Sequence, residues 1–375
     1  MTDASTTPAS QQPATVPTKH ALGRRVAIAL AGIVAVILAY LLLWPSPIDP
    51  LPFEPAPSAP LAGPLAPNDR LAAAEQLAVG QVEGPEDVEV DEHGRIVTGT
   101  ADGRIVALDP DGKITTLATT GGRPAGIATD PQGNLIVADA VKGLLKVDPS
   151  GQLTTLASGT AAEPLGFVDD VDVARDGTIY FSDASSKFAA NEFLYDMLEA
   201  RPHGRLLSHD PATSKTTTLL PELYFANGVA LSRHEDFVLV CETYRFRIMR
   251  YWLAGERAGQ SEVFIDNLPG YPDNITSNRR GAFWLALFTV RNREADWLSP
   301  RPFLKSVLAK LPAPLWPKPE RYAFVVKLDE TGKILDSLQD PQGRGLYAIT
   351  SAFERDGYLY LGSLYNNRIG KFKLP

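Results

Sequence analysis

The sequence predicts an all-β chain, a six-bladed β-propeller carried behind one N-terminal transmembrane helix. Three observations lead there. One strand phrase returns six times, one uncharged apolar run stands near the start, and glycine (30) and proline (31) are plentiful enough for many short elements joined by turns.

The elements follow in chain order. Residues 1–25 read as a disordered cytoplasmic tail, since positions 1–18 are rich in Ser, Thr, Pro, Ala and Gln. Residues 26–44, VAIALAGIVAVILAYLLLW, carry no charge and are long enough to cross the hydrocarbon core as a helix. A soluble core helix would keep one polar face, and a signal peptide has a shorter apolar region. Lys19, Arg24 and Arg25 precede the span and no basic residue follows before Arg70, which places the tail inside and the rest outside the cytoplasm. Residues 45–70 are proline-rich and read as a semi-rigid spacer. The propeller occupies 71–375.

Composition narrows the function. A net charge of −8 without any basic stripe argues against nucleic acid as a partner. The single cysteine, Cys241, excludes an intrachain disulfide and a thiolate metal site. It falls inside a strand pattern with no histidine nearby and reads as a small core residue.

The six copies are GPEDVEVDEHGRIVTGT (84–100), RPAGIATDPQGNLIVAD (123–139), FVDDVDVARDGTIYFSD (167–183), FANGVALSRHEDFVLVCE (225–242), YPDNITSNRRGAFWLAL (271–287) and YAITSAFERDGYLYLGS (347–363). Each reads as a hairpin, and most are followed by a second two-strand phrase, giving four strands per blade. The last copy stops three strands in, so residues near 72–83 are expected to supply its outer strand and close the ring. Two blades are stretched, by 187–204 and by 291–322. The second insertion carries Trp297, Phe303, Leu304, Leu315 and Trp316 beside Lys and Arg, which suits either a lid over a binding face or a membrane contact.

Alignment of the copies puts Glu86, Ala125, Asp169, Asn227, Asp273 and, less clearly, Ile349 in one register, with Asn274 beside its slot. Innermost strands face the central channel, so these slots converge on one axis. Glu86, Asp169, Asn227, Asp273 and Asn274 then form an oxygen-only set suited to a hard cation such as Ca²⁺. Three carboxylates around a narrow axis repel unless an ion or protons intervene. Asn274-Ile275-Thr276 also fits a glycan sequon, a poor acceptor on a channel floor. Asp139, Asp183 and Glu242 recur at the ends of second strands and are expected to bond backbone or the arginines Arg245 and Arg247.

The phrases PEDV, FVDDVDV, GTIYFSDASSKF, YDMLEARPHGRLL, FANGVALS, PDNI and KPERYAFVVKLDE resemble the strictosidine synthase-like proteins, in particular their adipocyte plasma membrane-associated subgroup. The resemblance covers roughly 75–375 and extends to the paraoxonases, gluconolactonases and squid-type phosphotriesterases. It implies a six-bladed propeller and one channel Ca²⁺ on Glu86, Asp169, Asn227, Asp273 and Asn274, with Asp169 where the family usually has Asn. Two departures stand out. The paraoxonase catalytic histidine is replaced in Pro124-Ala125-Gly126-Ile127, and the strictosidine synthase glutamate by Thr350.

The resulting expectation is a membrane-anchored, calcium-dependent hydrolase of small apolar esters or lactones, arylesterase- or lactonase-like. The ion would polarise the carbonyl, and Asp169 or Asp273 would act as base or nucleophile. A non-catalytic binding propeller with a structural metal and a strictosidine synthase-type condensing enzyme are the alternatives.

Overall fold

A computed structural model describes residues 19–375; of the tail over 1–25, expected to be disordered, residues 1–18 lie outside them and 19–25 are instead the first turns of a helix. The chain divides into two compact units, one ending at Ser46 and the other running from Pro47 to Pro375. In the first, Lys19–Leu43 is a single helix. Its stretch Gly23–Leu43, 21 residues, is long and apolar enough to cross a membrane.

In the second unit, 24 strands form six four-stranded antiparallel sheets. The innermost strands are Val88–Val90, Pro124–Thr129, Val168–Val173, Ala226–Leu231, Gly270–Ser277 and Ile349–Arg355, and each touches the innermost strand of the next blade around a closed ring. Ring closure runs as the sequence predicts. Glu75–Leu77 pairs with the C-terminal strand Ile369–Lys373, with Glu75 opposite Lys371. No blade is left half-built: the short N-terminal strand completes the sixth as its outermost member.

Two glycines permit the tight channel. A Cβ on Gly126 would lie 2.6 Å from the Asp170 Cα, and one on Gly228 would lie 2.5 Å from the Asn274 Cα. These are backbone contacts that cannot swing aside, so the glycine after the second- and fourth-blade slots is a packing requirement.

The proline-rich segment does not stand away from the propeller. Ile48 is buried with Phe188, Leu198 and Ala309, Phe53 and Leu61 pack on the fourth and fifth blades, and Leu65 lies in that core. Leu51 N–H donates to the Glu199 carbonyl at 2.9 Å, Lys305 Nζ donates to the Leu51 carbonyl at 2.5 Å, and Asn267 Nδ2 donates to the Pro57 carbonyl at 2.9 Å. Extended, hydrogen-bond-poor backbone is satisfied by the surface it crosses. The expected spacer is a strap.

Candidate functional site

Five of the six slots are aimed by a local irregularity; Glu86 instead precedes a regularly paired strand. The pairing register shifts between Val168 and Val171, between Ala226 and Val229, and between Pro272 and Ile275. Asp169, Asn227, Asp273 and Asn274 therefore sit in β-bulges, where strict side-chain alternation is broken and two consecutive residues can be re-aimed. The second-blade slot, Ala125, and the sixth are bulged too. In the sixth, Ile349 is core, and Thr350 instead closes the ring by donating its hydroxyl to the Glu86 carbonyl at 2.5 Å.

The slots meet at the floor of a cavity of about 750 Å³ that takes in Glu86, Asp169, Asn227 and Asp273. Asn274 is not on its wall. It is 2% exposed, with its Oδ1 buried and unpartnered, which also removes the sequon as a glycan site on the folded chain. Above the floor the walls are apolar. Phe167, Phe225 and Tyr244 form one aromatic cluster, the first pair edge to face, with ring centroids 5.6 and 4.7 Å apart, and Phe288 meets Tyr365 at 5.6 Å on the other side. Both insertions roof the cavity. Phe193, Leu194 and Met197 come from the helix Phe193–Glu199, and Asn292, Ala295 and Pro317–Glu320 from the fifth-blade insertion. The Tyr244 hydroxyl donates to the Phe193 carbonyl at 3.1 Å and fixes the first roof helix to the wall. In the second insertion Trp316 packs on Tyr195, while Trp297, Phe303 and Leu315 remain exposed.

The electrostatics of the floor are unfavourable by themselves. Burial above all, then Glu86 and Asp273, pushes the Asp169 carboxyl far above its ordinary range. Burial and Glu86 do the same to Asp273, opposed by a hydrogen bond from the Asn227 side chain. Three buried oxygens, Asp169 Oδ2, Asn227 Oδ1 and Asn274 Oδ1, have no hydrogen-bond partner. Buried acceptors left this way are costly, and several converging on one axis suit a hard cation. The charged groups around the cavity are Glu86, Asp169, Asp273 and Glu320 against Arg123 and Lys318, and their balance of −2 matches one divalent ion. Among the described residues no three His, Cys, Asp or Glu side chains stand close enough to hold an ion without help. A set of carboxylate and amide oxygens, were it to take an ion, would suit calcium better than a transition metal.

Sequence reasoning missed two groups here. Arg123 lies on the cavity floor, its Nη2 2.6 Å from Glu86 Oε2. Asp87 and Asp170, immediately after two slots, tie neighbouring blades together. Ile127 N–H donates to Asp87 at 2.9 Å and Val229 N–H to Asp170 at 2.7 Å. Burial first of all raises the Asp87 carboxyl to about 6. The recurring acids at the second-strand ends behave as expected. Asp139 accepts from the backbone of Arg123, Val141 and Lys142, Asp183 holds Arg205 at 2.7 Å, and Glu242 pairs with Arg247. Arg245 does not join Glu242; it lies between the rings of Phe53 and Tyr224. Cys241 is fully buried, and among the described residues no histidine lines the cavity.

Fold and site together define a six-bladed propeller with an oxygen-lined channel under an apolar cavity. Residues 169–256 match the strictosidine synthase family and residues 63–108 the strictosidine synthase-like N-terminal family. The chain is 39% identical over 362 residues to the adipocyte plasma membrane-associated protein of Mus musculus, covering 90% of this chain and 87% of the mouse protein. The chain belongs to that family. Among solved structures, a gluconolactonase from Xanthomonas campestris superposes with a TM-score of 0.60 at 19% identity, over 89% of this chain and 99% of that one. A protein described as a calcium-binding regucalcin from Agrobacterium tumefaciens gives 0.57 at 15% identity, over 80% and 93%. At such identities the likeness shows the shared propeller fold.

Proposed function

We propose that this protein is a membrane-anchored, calcium-dependent hydrolase of small apolar esters or lactones. The observation that carries the reading is the group of orphaned buried oxygens on Asp169, Asn227 and Asn274, beside two carboxyls raised by burial and mutual repulsion. Glu86, Asp169, Asn227, Asp273 and Asn274 would hold the ion, whose contribution is Lewis-acid polarisation of a carbonyl.

The remaining work falls to the chain's own side chains. Asp169 and Asp273 are the candidates for proton acceptor or nucleophile. Asn227 bonds the Asp273 carboxylate and fixes its orientation. The aromatic walls select an apolar acyl or aryl group, and the roof of 193–199 and 292–320 keeps water from the bound ester. The apolar stretch from residue 26 onward in the helix Lys19–Leu43 is the anchor, with residues 1–25 cytoplasmic and the propeller on the extracytoplasmic side.

Hydrolysis of phenyl acetate and a panel of aliphatic lactones by the full chain, with calcium and with EGTA, tests this reading. Calcium-dependent turnover that Asp273→Ala lowers by at least about a hundredfold is expected. Absence of turnover across the panel overturns it. The second reading, a binding propeller with a structural ion, draws on the engagement of Glu86 by Arg123 and the lack of a cavity histidine among the described residues. It predicts calcium-dependent stability without turnover.

A further inference from the structure

The cavity has one feature that an uncharged ester does not use. Among the described residues Arg123 is the only cation of its floor, and it enters from the strand start Pro124, next to the second-blade slot that carries only Ala125. Its backbone N–H is held by Asp139 at 3.0 Å, so the stem is fixed where it leaves the sheet. Its side chain is 15% exposed. Nη2 is spent on Glu86 at 2.6 Å, whereas Nη1 is buried without any hydrogen-bond partner. A buried, unsatisfied guanidinium N–H is expensive, and guanidinium geometry matches a carboxylate, which Nη1 can reach once the Glu86 pair loosens. Glu86 is also a candidate ion ligand, so an ion that draws on its oxygens loosens its hold on Arg123.

We propose that Arg123 is an anion-binding residue of the cavity, and that the ligand class it selects is a monoanionic amphiphile, a carboxylate on an apolar aryl or acyl body. The aromatic walls take the body and Arg123 takes the head. A monoanion suits the charge balance better than a dianion. The cavity's formal balance is −2, which a bound divalent ion offsets, and one extra negative charge then faces Arg123 in a site of low dielectric. A carboxylate of this kind is what hydrolysis of an apolar ester releases, so the inference deepens the hydrolase reading, although binding is measured without turnover.

The test is calorimetry on the full-length chain in nanodiscs, with 4-phenylbutyrate and its uncharged isostere 4-phenylbutanamide as probes. In calcium, wild type binds the carboxylate at least about tenfold more tightly than the amide, as a charge-assisted hydrogen bond provides. Arg123→Met abolishes that preference and changes amide affinity less than about threefold; Arg123→Lys keeps part of it. Glu86→Gln removes the internal competitor and makes carboxylate binding measurable in EGTA. Equal binding of the two probes by wild type, or an undiminished preference in Arg123→Met, overturns the proposal. Should Arg123→Met not fold, Glu86→Gln decides alone, and unchanged carboxylate binding in EGTA counts against it. Phenyl acetate turnover on the same samples separates the two readings: a carboxylate preference without turnover keeps Arg123's role and removes the hydrolase.

Discussion

Asp196 offers a perturbation whose size can be worked from the structure. It sits on the roof helix, 1% exposed, accepting the Ser185 hydroxyl at 2.6 Å while its Oδ1 has no partner. Burial chiefly, and then neighbouring Glu199, raises its carboxyl from 3.8 to about 7. A raised folded pKa means that the folded state binds the proton more tightly than the unfolded state. Stability is therefore greatest at low pH and falls as pH climbs from about 4 through about 7. About three pKa units at ~1.4 kcal/mol each give an upper limit of ~4 kcal/mol. Asp196→Asn keeps an acceptor for Ser185 and removes the charge. With an unfolding entropy of roughly 0.6 kcal/mol/K for ~300 residues, the variant should melt up to ~6 °C above wild type at pH 8.5 and close to it at pH 4.5. Differential scanning fluorimetry across that range is the assay. A wild-type/variant gap that does not change with pH would refute the reasoning, and so would a variant less stable than wild type at pH 8.5.

Other outcomes follow from the same packing. Gly228→Ala drives a methyl to 2.4 Å from Ile275 N and 2.5 Å from Asn274 Cα, and should cost at least about 3 kcal/mol in urea unfolding or leave the chain insoluble. Glu199 accepts Lys187 Nζ at 2.6 and 2.7 Å, His203 Nε2 at 2.8 Å and the Asp49 N–H at 2.8 Å. Glu199→Ala should cost about 3 kcal/mol, the low end for a broken buried pair because Lys187 reaches solvent. It should also open residues 47–56 to limited proteolysis, which mass spectrometry of the first cuts would locate. Calcium at a hundredfold excess over its Kd should add ~2.7 kcal/mol, or roughly 4 °C, to wild type. Asp273→Ala should lose that gain in the same melting assay.

The blades were legible because alternation, turn glycines and a fixed spacing act together in each copy, from Val88 to the final strand at Ile369. The convergence of Glu86, Asp169, Asn227 and Asp273 on one cavity also followed from register alone. The bulges that re-aim those slots were not legible, because an extra residue in a strand leaves no mark on a hairpin phrase. Arg123 was missed because an arginine before a proline at a strand start looks solvent-facing. Its signal was the position, two residues from a slot that holds only alanine. The strap was misread because proline content reports backbone stiffness and says nothing of what the segment lies on. Ile48, Phe53, Leu61 and Leu65, apolar residues punctuating the prolines, were the available clue.

The central claim is that the channel oxygens hold one calcium ion that acts on a substrate. Its most direct test titrates calcium into the EGTA-stripped full chain while following binding heat and phenyl acetate turnover on the same preparation. The account predicts one ion per chain and a single midpoint shared by both curves, with both lost in Asp169→Ala. Turnover that persists in EGTA, or saturable calcium binding with no turnover at any substrate size, would contradict it.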